Sequence, residues 1–327
     1  CYTVLAREAL ANIRLQLAEQ PIPLHSIGAF DGYGGLIYTL THLAVLWHSA
    51  ELFAEAEKLV DAVAVQLAKQ QKFDIIDGLA GCIGGLLCLY EHHPSERILQ
   101  VLLQCGQALL AGAQPCATGI GWVTPLCPQP LAGFSHGSAG IAWALLRLAE
   151  VIQLPQFGEA ARATMAYERS LFSTEHGNWS DLRVEDTSSF MTAWCHGATG
   201  IGLARLVTLP HVDTEEVRDE LAQAIATTLA TGFGRNHSLC HGDFGSLEFL
   251  SLAAQTLQDE ALQTQTCLLA ARLLASIEQY GWLCGVPLHV ENPGLMTGLA
   301  GTGLALLRLA EPEIIPSVLI LESPKQR

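Results

Sequence analysis

Two short stretches carry the same chemical mark, Trp194-Cys195-His196-Gly197 and Leu239-Cys240-His241-Gly242. Thiolates and imidazoles are good zinc ligands, and two thiolates with one imidazole leave a fourth tetrahedral position for water or substrate. That is the arrangement of a reactive centre rather than a closed structural one. Cys195, Cys240 and His241 form the candidate zinc set, with His196 and Cys284 (in GWLCGVPLH) as competing ligands. A fourth protein ligand would close the site and remove its reactivity. No close Cys-x-x-Cys pair is present, so the alternative for each cysteine is a buried, inert thiol.

What singles these residues out is their place in a repeat. A Gly-x-x-Gly signature recurs six times: DGYGG at Asp31 to Gly35, DGLAG at Asp77 to Gly81, HGSAG at His136 to Gly140, HGATG at His196 to Gly200, HGDFG at His241 to Gly245 and TGLAG at Thr297 to Gly301. The copies lie 45 to 60 residues apart, the period of a helical hairpin. Each opens an apolar helical run, such as GIAWALLRLAEVI after the third copy, which predicts a helix buried on nearly all sides. The intervening segments are amphipathic. Residues 54–69 place Leu59, Val60, Val63 and Leu67 on one stripe, with Glu55, Glu57, Lys58 and Asp61 elsewhere. Alternating amphipathic and apolar helices predict two concentric layers, an all-α, α/α toroid of six helical hairpins with the Gly-rich turns gathered at one end. Glycine in those turns is expected to supply positive backbone dihedrals and close approach between inner helices; for the unmarked copies at Gly32, Gly78 and Gly298, packing alone explains them. The Cys-His-Gly marks occupy the same position in successive units, so a closed ring brings them face to face.

Composition narrows the function classes. At 327 residues the chain exceeds a typical domain, but six units in one ring make a single large domain. A net charge of -15 argues against nucleic-acid binding, which needs clustered Lys and Arg. No apolar run reaches about 18 residues without a charge or His, so no membrane span is expected, and the amino terminus does not read as a secretion signal. Ten cysteines form no small-secreted-domain framework, and Cys88, Cys105 and Cys267 fall inside apolar helices, which suits a reducing cytosol. Of the other histidines, His92 and His93 are expected in solvent beside Pro94, and His25, His42, His48, His176 and His211 have no motif context. His237 is close enough to Cys240 to shape the site. Trp194 and Trp282 are candidates to line a groove, core packing being the ordinary role of such aromatics.

Taken together, SHGSAG, AWCHGATG, LCHGDFG and PGLMTGLAGTGLALLRLA resemble the cyclase module of lanthipeptide synthetases, the lanthionine synthetase C-like family. The resemblance runs from the first Gly-rich repeat to Leu309 and is greatest to the carboxy-terminal half of class II, bifunctional synthetases. It implies that residues 1–327 are a single cyclase domain, a fragment of or homologue to such a longer chain. It also implies an α/α toroid with zinc held by the Cys of Trp-Cys-x-Gly and by the Cys and His of Cys-His-Gly, here Cys195, Cys240 and His241. The third-repeat His-Gly implies a catalytic His136, and FDIIDGLAG matches an aspartate of the family to Asp74, with Asp77 its neighbour. Read alone, His136 would only hydrogen-bond a turn and Asp74 would cap a helix. Two departures stand out: free-standing cyclases carry Arg four residues before the first zinc Cys, where this chain has Met191, and often Tyr where it has His196.

The activity this resemblance implies is intramolecular Michael addition of a peptide Cys thiol to dehydroalanine or dehydrobutyrine, giving lanthionine or methyllanthionine rings. Zinc coordination would deprotonate a thiol that is otherwise mostly protonated at neutral pH. His136 is the expected acid for the α-carbon, and Asp74 the carboxylate that orients it. The expected partners are a dehydrated precursor peptide, a dehydratase domain or separate protein, and an export or synthetase complex. No nucleotide loop with a partner Lys is present, so ATP use is not expected. The alternative within the same fold is a zinc protein that binds or adds glutathione without closing rings. A toroidal glycosidase would need paired carboxylates at the inner turns, and a scaffold would carry inert cysteines.

Overall fold

Each Gly-x-x-Gly signature sits at the start of a helix, and each such helix follows an outer one. The computed structural model describes residues 2–19, 24, 26–124, 127–183 and 189–325; Cys1 and His25 lie outside them. The outer helices are α1 (Tyr2–Glu19), α3 (Ala50–Leu67), α5 (Glu96–Gly112), α7 (Pro155–Arg169), α9 (Glu215–Thr231) and α11 (Glu260–Tyr280). The inner ones are α2 (Tyr33–Leu46), α4 (Leu79–His92), α6 (Ser138–Ile152), α8 (Ala198–Thr208), α10 (Asp243–Leu257) and α12 (Leu299–Ala310). Successive inner helices pack side by side from α2 round to α12, with α3, α5, α7, α9 and α11 backing them. This is the α/α toroid that the repeat predicts. The stripe on α3 points inward as expected, with Val60 and Val63 fully buried and Leu59 and Leu67 packed half-buried against the core. No helix among the described residues is long and apolar enough to cross a membrane.

The glycines work differently from the expectation. The first glycine of every signature is the residue before the inner helix, yet only Gly197 has a positive φ, at 84°; the other five lie between -115° and -138°. The demand elsewhere is steric. A Cβ on the second glycine of each signature would lie 1.8 to 2.4 Å from the carbonyl oxygen six residues earlier, at Ala29, Ile75, Phe134, Trp194, Leu239 and Leu295. The turn therefore folds back on its own helix, and its carbonyls take the otherwise orphaned N–H groups of the first helical turn. Tyr33, Leu79, Ser138, Asp243 and Leu299 each donate to the carbonyl seven residues before, at 2.8 to 3.2 Å.

The turns are also tied to one another. Ala29 N–H donates to the Ile75 carbonyl (3.1 Å), Ile75 to Ser135 (3.0 Å), Phe134 to Trp194 (3.3 Å), Cys195 to Cys240 (3.2 Å) and Cys240 to Met296 (2.9 Å). Between the sixth turn and the first lies a groove of about 670 Å³, lined by Phe30, Asp31, Leu295 and Met296 and flanked by Ile13 and Leu17 of α1. The carboxy-terminal segment fills the bore. Leu319 is fully buried and its carbonyl accepts the Trp194 indole N–H at 3.1 Å, while Leu321 packs against Gly84 of α4. Tyr38 of α2 donates to the Glu322 carbonyl at 2.9 Å, and Ser317 bonds Glu248 of α10.

Three expectations change. The last inner helix, α12, is not buried all round: Gly303 and Leu307 are exposed, and on another side Ala305, Arg308 and Leu309 line a groove of about 600 Å³ between α12 and α11. His92 and His93 are half-buried rather than solvated; His93 stacks on Phe53 at 5.4 Å between ring centres and reaches Glu57 at 3.3 Å. Trp194 is fully buried, packed against Phe30 and Phe134, and lines no groove.

Two glycines of α12 separate the steric account from a general helix effect. Gly301→Ala forces a Cβ to 1.8 Å from the Leu295 carbonyl, whereas nothing lies within 4 Å of a Cβ at Gly303. Overpacking is expected to cost Gly301→Ala about 1–3 kcal/mol in urea unfolding, and Gly303→Ala should gain about 0.5–1 kcal/mol from helix propensity. Equal effects of the two substitutions would refute the steric role.

Candidate functional site

The ladder between turns brings the two marked positions together. Cys195 and Cys240 are equivalent residues of the fourth and fifth turns, and the N–H of the first donates to the carbonyl of the second. Their sulfurs and a ring nitrogen of His241 lie within 4.8 Å of one another, close enough for one ion. His241 Nε2–H donates to the Gly285 carbonyl at 2.9 Å, which leaves Nδ1 to ligate, and an outer hydrogen bond of this kind fixes the tautomer of a metal-binding imidazole. The loop that supplies this carbonyl is itself pinned. His237 N–H donates to the Leu283 carbonyl (2.7 Å), Leu283 N–H donates to His237 Nδ1 (3.1 Å), and Gly285 N–H donates to the Thr297 carbonyl (2.7 Å). Two thiols, one free imidazole nitrogen and a braced outer shell fit a zinc ion with one position left open. Neither competing ligand joins them: Cys284 is buried outside the cluster, and His196 Nδ1–H donates to the Ala132 carbonyl at 3.3 Å.

The electrostatics of the trio favour an anionic sulfur. The hydrogen bond from the Cys240 thiol pulls Cys195 well below the ordinary thiol range against the opposing effect of burial, with His241 contributing in the same direction. The same sharing pushes Cys240 up, so the pair releases one proton readily and holds the second. His241 is raised by its contact with Cys195.

The fourth turn departs from the other five where the first cysteine sits. Ala198 N–H bonds the Asn178 side chain (3.1 Å) instead of the backbone carbonyl seven residues before, at Met191. Asn178 comes from a two-residue-per-strand hairpin, β3 (Phe172–Ser173) with β4 (Asn178–Trp179), and its Nδ2 donates to the Met191 carbonyl at 3.2 Å. Gly197 closes this altered turn with its positive φ; a Cβ there would meet the Met191 oxygen at 1.6 Å.

His136 and Asp74 come from the third and second turns. His136 Nδ1–H donates to Asp74 Oδ2 at 2.6 Å, while Asp74 Oδ1 accepts the Asp77 N–H at 3.0 Å, so the carboxylate both holds the imidazole and caps its own turn. Asp77, next to Asp74, forms an ion pair with Lys72. Burial alone would lower His136, but the hydrogen bond and charge of Asp74 overcome it and raise its pKa; Asp74, pushed up by burial, is pulled down further by His136. The His136 ring lies 6.0 Å from that of His196, with the planes 24° apart, which sets it beside the turn that carries Cys195. Its turn is held from beneath: buried Glu168 of α7 accepts N–H groups from Gly133 and Ala139 (3.0 Å each) and pairs with buried Arg205 of α8 at 2.9 Å.

Several participants carry no signal in the sequence. The Gly285 and Ala132 carbonyls are main-chain atoms, and Glu168 reads as an ordinary polar residue of α7. Arg183 is the fourth: paired with Asp181, its Nη2 reaches the Met191 Sδ at 3.3 Å.

Known proteins resemble this chain in sequence and in fold. A family model described as Lanthionine synthetase C-like protein matches residues 1–320. The Lacticin 481/lactococcin biosynthesis protein LcnDR2 of Lactococcus lactis subsp. lactis is 28% identical over 194 residues, which are 55% of this chain and 20% of that protein. The match thus spans about a fifth of that relative's length. Among solved structures, Nisin cyclase superposes with a TM-score of 0.78 at 18% identity, covering 98% of this chain and 86% of that one. A GH76 alpha-mannanase from Bacteroides thetaiotaomicron shares the fold at a TM-score of 0.53 and 13% identity, covering 82% and 79%.

The Asp74–His136 pair has a signed pH dependence. The raised imidazole contributes stability that is full below its unfolded pKa near 6.5 and is lost as pH rises through the folded value. The lowered carboxylate contributes above its unfolded value of 3.8 and loses that as pH falls through the folded one. Asp74→Asn should therefore destabilise the metal-free chain more at pH 5 than at pH 9 in denaturant titrations. A penalty equal at both, or larger at pH 9, would contradict the pair.

Proposed function

The chain belongs to the lanthionine synthetase C-like family, and from that membership we propose that residues 1–327 act as one cyclase unit that closes thioether rings. In this reading a peptide cysteine adds to a dehydroalanine or dehydrobutyrine of the same peptide, giving lanthionine or methyllanthionine. The observation that supports it most is the convergence of Cys195, Cys240 and His241 within 4.8 Å, with the Asp74-bound His136 beside His196 of the neighbouring turn.

A zinc ion held by Cys195, Cys240 and His241 would supply a Lewis acid that keeps an incoming peptide thiol ionised at neutral pH. The chain's own residues account for the rest. Gly285 holds His241 by its Nε2–H, and the Cys195–Cys240 backbone bond fixes the separation of the two sulfurs. When the sulfur–Cβ bond forms, the alkene pair moves onto the α-carbon and its carbonyl, and the α-carbon then needs a proton. His136 gives it: Asp74 holds the imidazole by Nδ1 and favours its protonated form, and Nε2 is free of that bond. The thiol proton goes to water, so the ring closes without change of mass. The substrate arrives already dehydrated, by a dehydratase region of a longer chain or a separate protein, within an export or synthetase complex. The nine described cysteines are free thiols, which suits a reducing cytosol.

The test is incubation of the zinc-loaded chain with a dehydrated, cysteine-containing precursor peptide, followed by thiol alkylation and mass spectrometry. Free thiols should disappear with no change in peptide mass. Cys240→Ala should lose both zinc and ring closure; His136→Asn should keep zinc and close rings about 10²–10³-fold more slowly, the range of a lost general acid. Undiminished thiols with the parent chain, or glutathione adducts in place of rings, would overturn the proposal.

A further inference from the structure

One cation beside the fourth turn has no part in the scheme above. Arg183 follows β4 and is gripped by Asp181 through two parallel bonds, Nε–H to Oδ1 at 2.9 Å and Nη2–H to Oδ2 at 2.7 Å, with its own backbone N–H on Oδ1 at 3.2 Å. The anchor is buried, its side chain 6% exposed, while the arginine side chain is 34% exposed, so the guanidinium is fixed on one edge and open on the other. Asp181 N–H donates to the Ser189 carbonyl at 2.9 Å and Ser180 bridges Phe190, tying this loop to the strand-like run that leads into Cys195. Nη2 also meets the Met191 Sδ at 3.3 Å, and a thioether is a weak acceptor that lines the site without competing for the donor. Nη1 makes no hydrogen bond among the described residues. Met191 stands four residues before Cys195, on the run that Ser180 bridges at Phe190 and that turns back at Thr192 to Gly197, so the guanidinium lies against the turn that carries the first sulfur.

Resting on the cyclase reading, we propose that Arg183 is a second catalytic group: its guanidinium receives the carbonyl oxygen of the dehydroamino acid and holds the negative charge that develops there. As the sulfur–Cβ bond forms, the alkene electron pair moves to the α-carbon and this oxygen beside sulfurs that already carry negative charge. That charge needs a cation which cannot be consumed. His136 gives its proton to the α-carbon, whereas a guanidinium keeps its protons throughout the neutral range, so Arg183 stabilises the oxygen without neutralising it chemically. Once the α-carbon is protonated the carbonyl reforms, and Arg183 leaves the cycle unchanged. Asp181 is the positioning residue, holding the fork so that Nη1 projects from the buried anchor.

The experiment compares steady-state ring closure on a dehydrated, cysteine-containing peptide by the zinc-loaded parent, Arg183→Gln and Arg183→Lys, with zinc content measured for each. Arg183→Gln should lose about 10²-fold in kcat, the cost of one oxyanion donor, with KM changed by less than about threefold and zinc content unchanged. Arg183→Lys should recover at least about tenfold of that loss, because it restores the charge without the fork. Arg183→Gln turning over within about threefold of the parent would overturn the assignment, as would a defect confined to KM or a lysine variant as slow as the glutamine one. A parent chain that closes no ring sinks the cyclase reading, and this inference with it; an active parent with an unaffected glutamine variant sinks the inference alone.

Discussion

The bond from the Cys195 N–H to the Cys240 carbonyl, 3.2 Å long, is where architecture becomes chemistry. It is one rung of a ladder that joins every turn to the next from the first repeat to the sixth, and the same rung sets the spacing of the two sulfurs. A ring of repeats makes such coincidence cheap to encode. Residues at equivalent positions meet across a fixed backbone register, so writing cysteine into the same place twice yields two adjacent thiols. The fold then spends its irregularities nearby: the fourth turn trades a backbone cap for the Asn178 side chain, and Gly197 takes the one positive φ among the six leading glycines.

Charge beside the marked turns is arranged in two carboxylate-backed halves. Asp74 on the second turn holds His136 on the third, and Asp181 after β4 holds Arg183 beside Met191. Each carboxylate is mostly buried, and each holds a partly exposed basic side chain. The halves differ in kind. An imidazole held near its working range exchanges a proton, whereas a guanidinium keeps its charge. Beneath them, Glu168 pairs with Arg205 and accepts main-chain N–H groups of the His136 turn, so a desolvated ion pair between α7 and α8 stiffens the loop that presents His136.

Much of this was legible in the sequence because repeats advertise themselves. Six Gly-x-x-Gly copies followed by apolar runs gave twelve helices in two layers, and the doubled Cys-His-Gly pointed to Cys195, Cys240 and His241, which the fold brings together. The reason for the glycines was not legible. A sequence cannot distinguish a glycine needed for its dihedral from one needed because a carbonyl lies where its Cβ would be, and here the second reason governs the second glycine of all six signatures, while only Gly197 among the leading ones has a positive φ. Nor could spacing find the Gly285 carbonyl, which has no side chain, or Arg183, which lies twelve residues before Cys195 and reaches the fourth turn only because a short hairpin folds back over Met191. The exposure of α12 was equally hidden, since its apolar pattern matches the buried inner helices and only its exposed side and the groove beside α11 set it apart.

The central claim is a three-ligand centre of two sulfurs and one imidazole with a place kept for a peptide thiol. Zinc K-edge X-ray absorption on the zinc-loaded chain, before and after adding a dehydrated, cysteine-containing peptide, tests it most directly. The account predicts two sulfur neighbours at about 2.3 Å with two lighter atoms at about 2.0–2.1 Å, and a third sulfur when the peptide is present. Three sulfurs before any peptide is added, as Cys284 would supply, or a sulfur count that the peptide leaves unchanged, would contradict it.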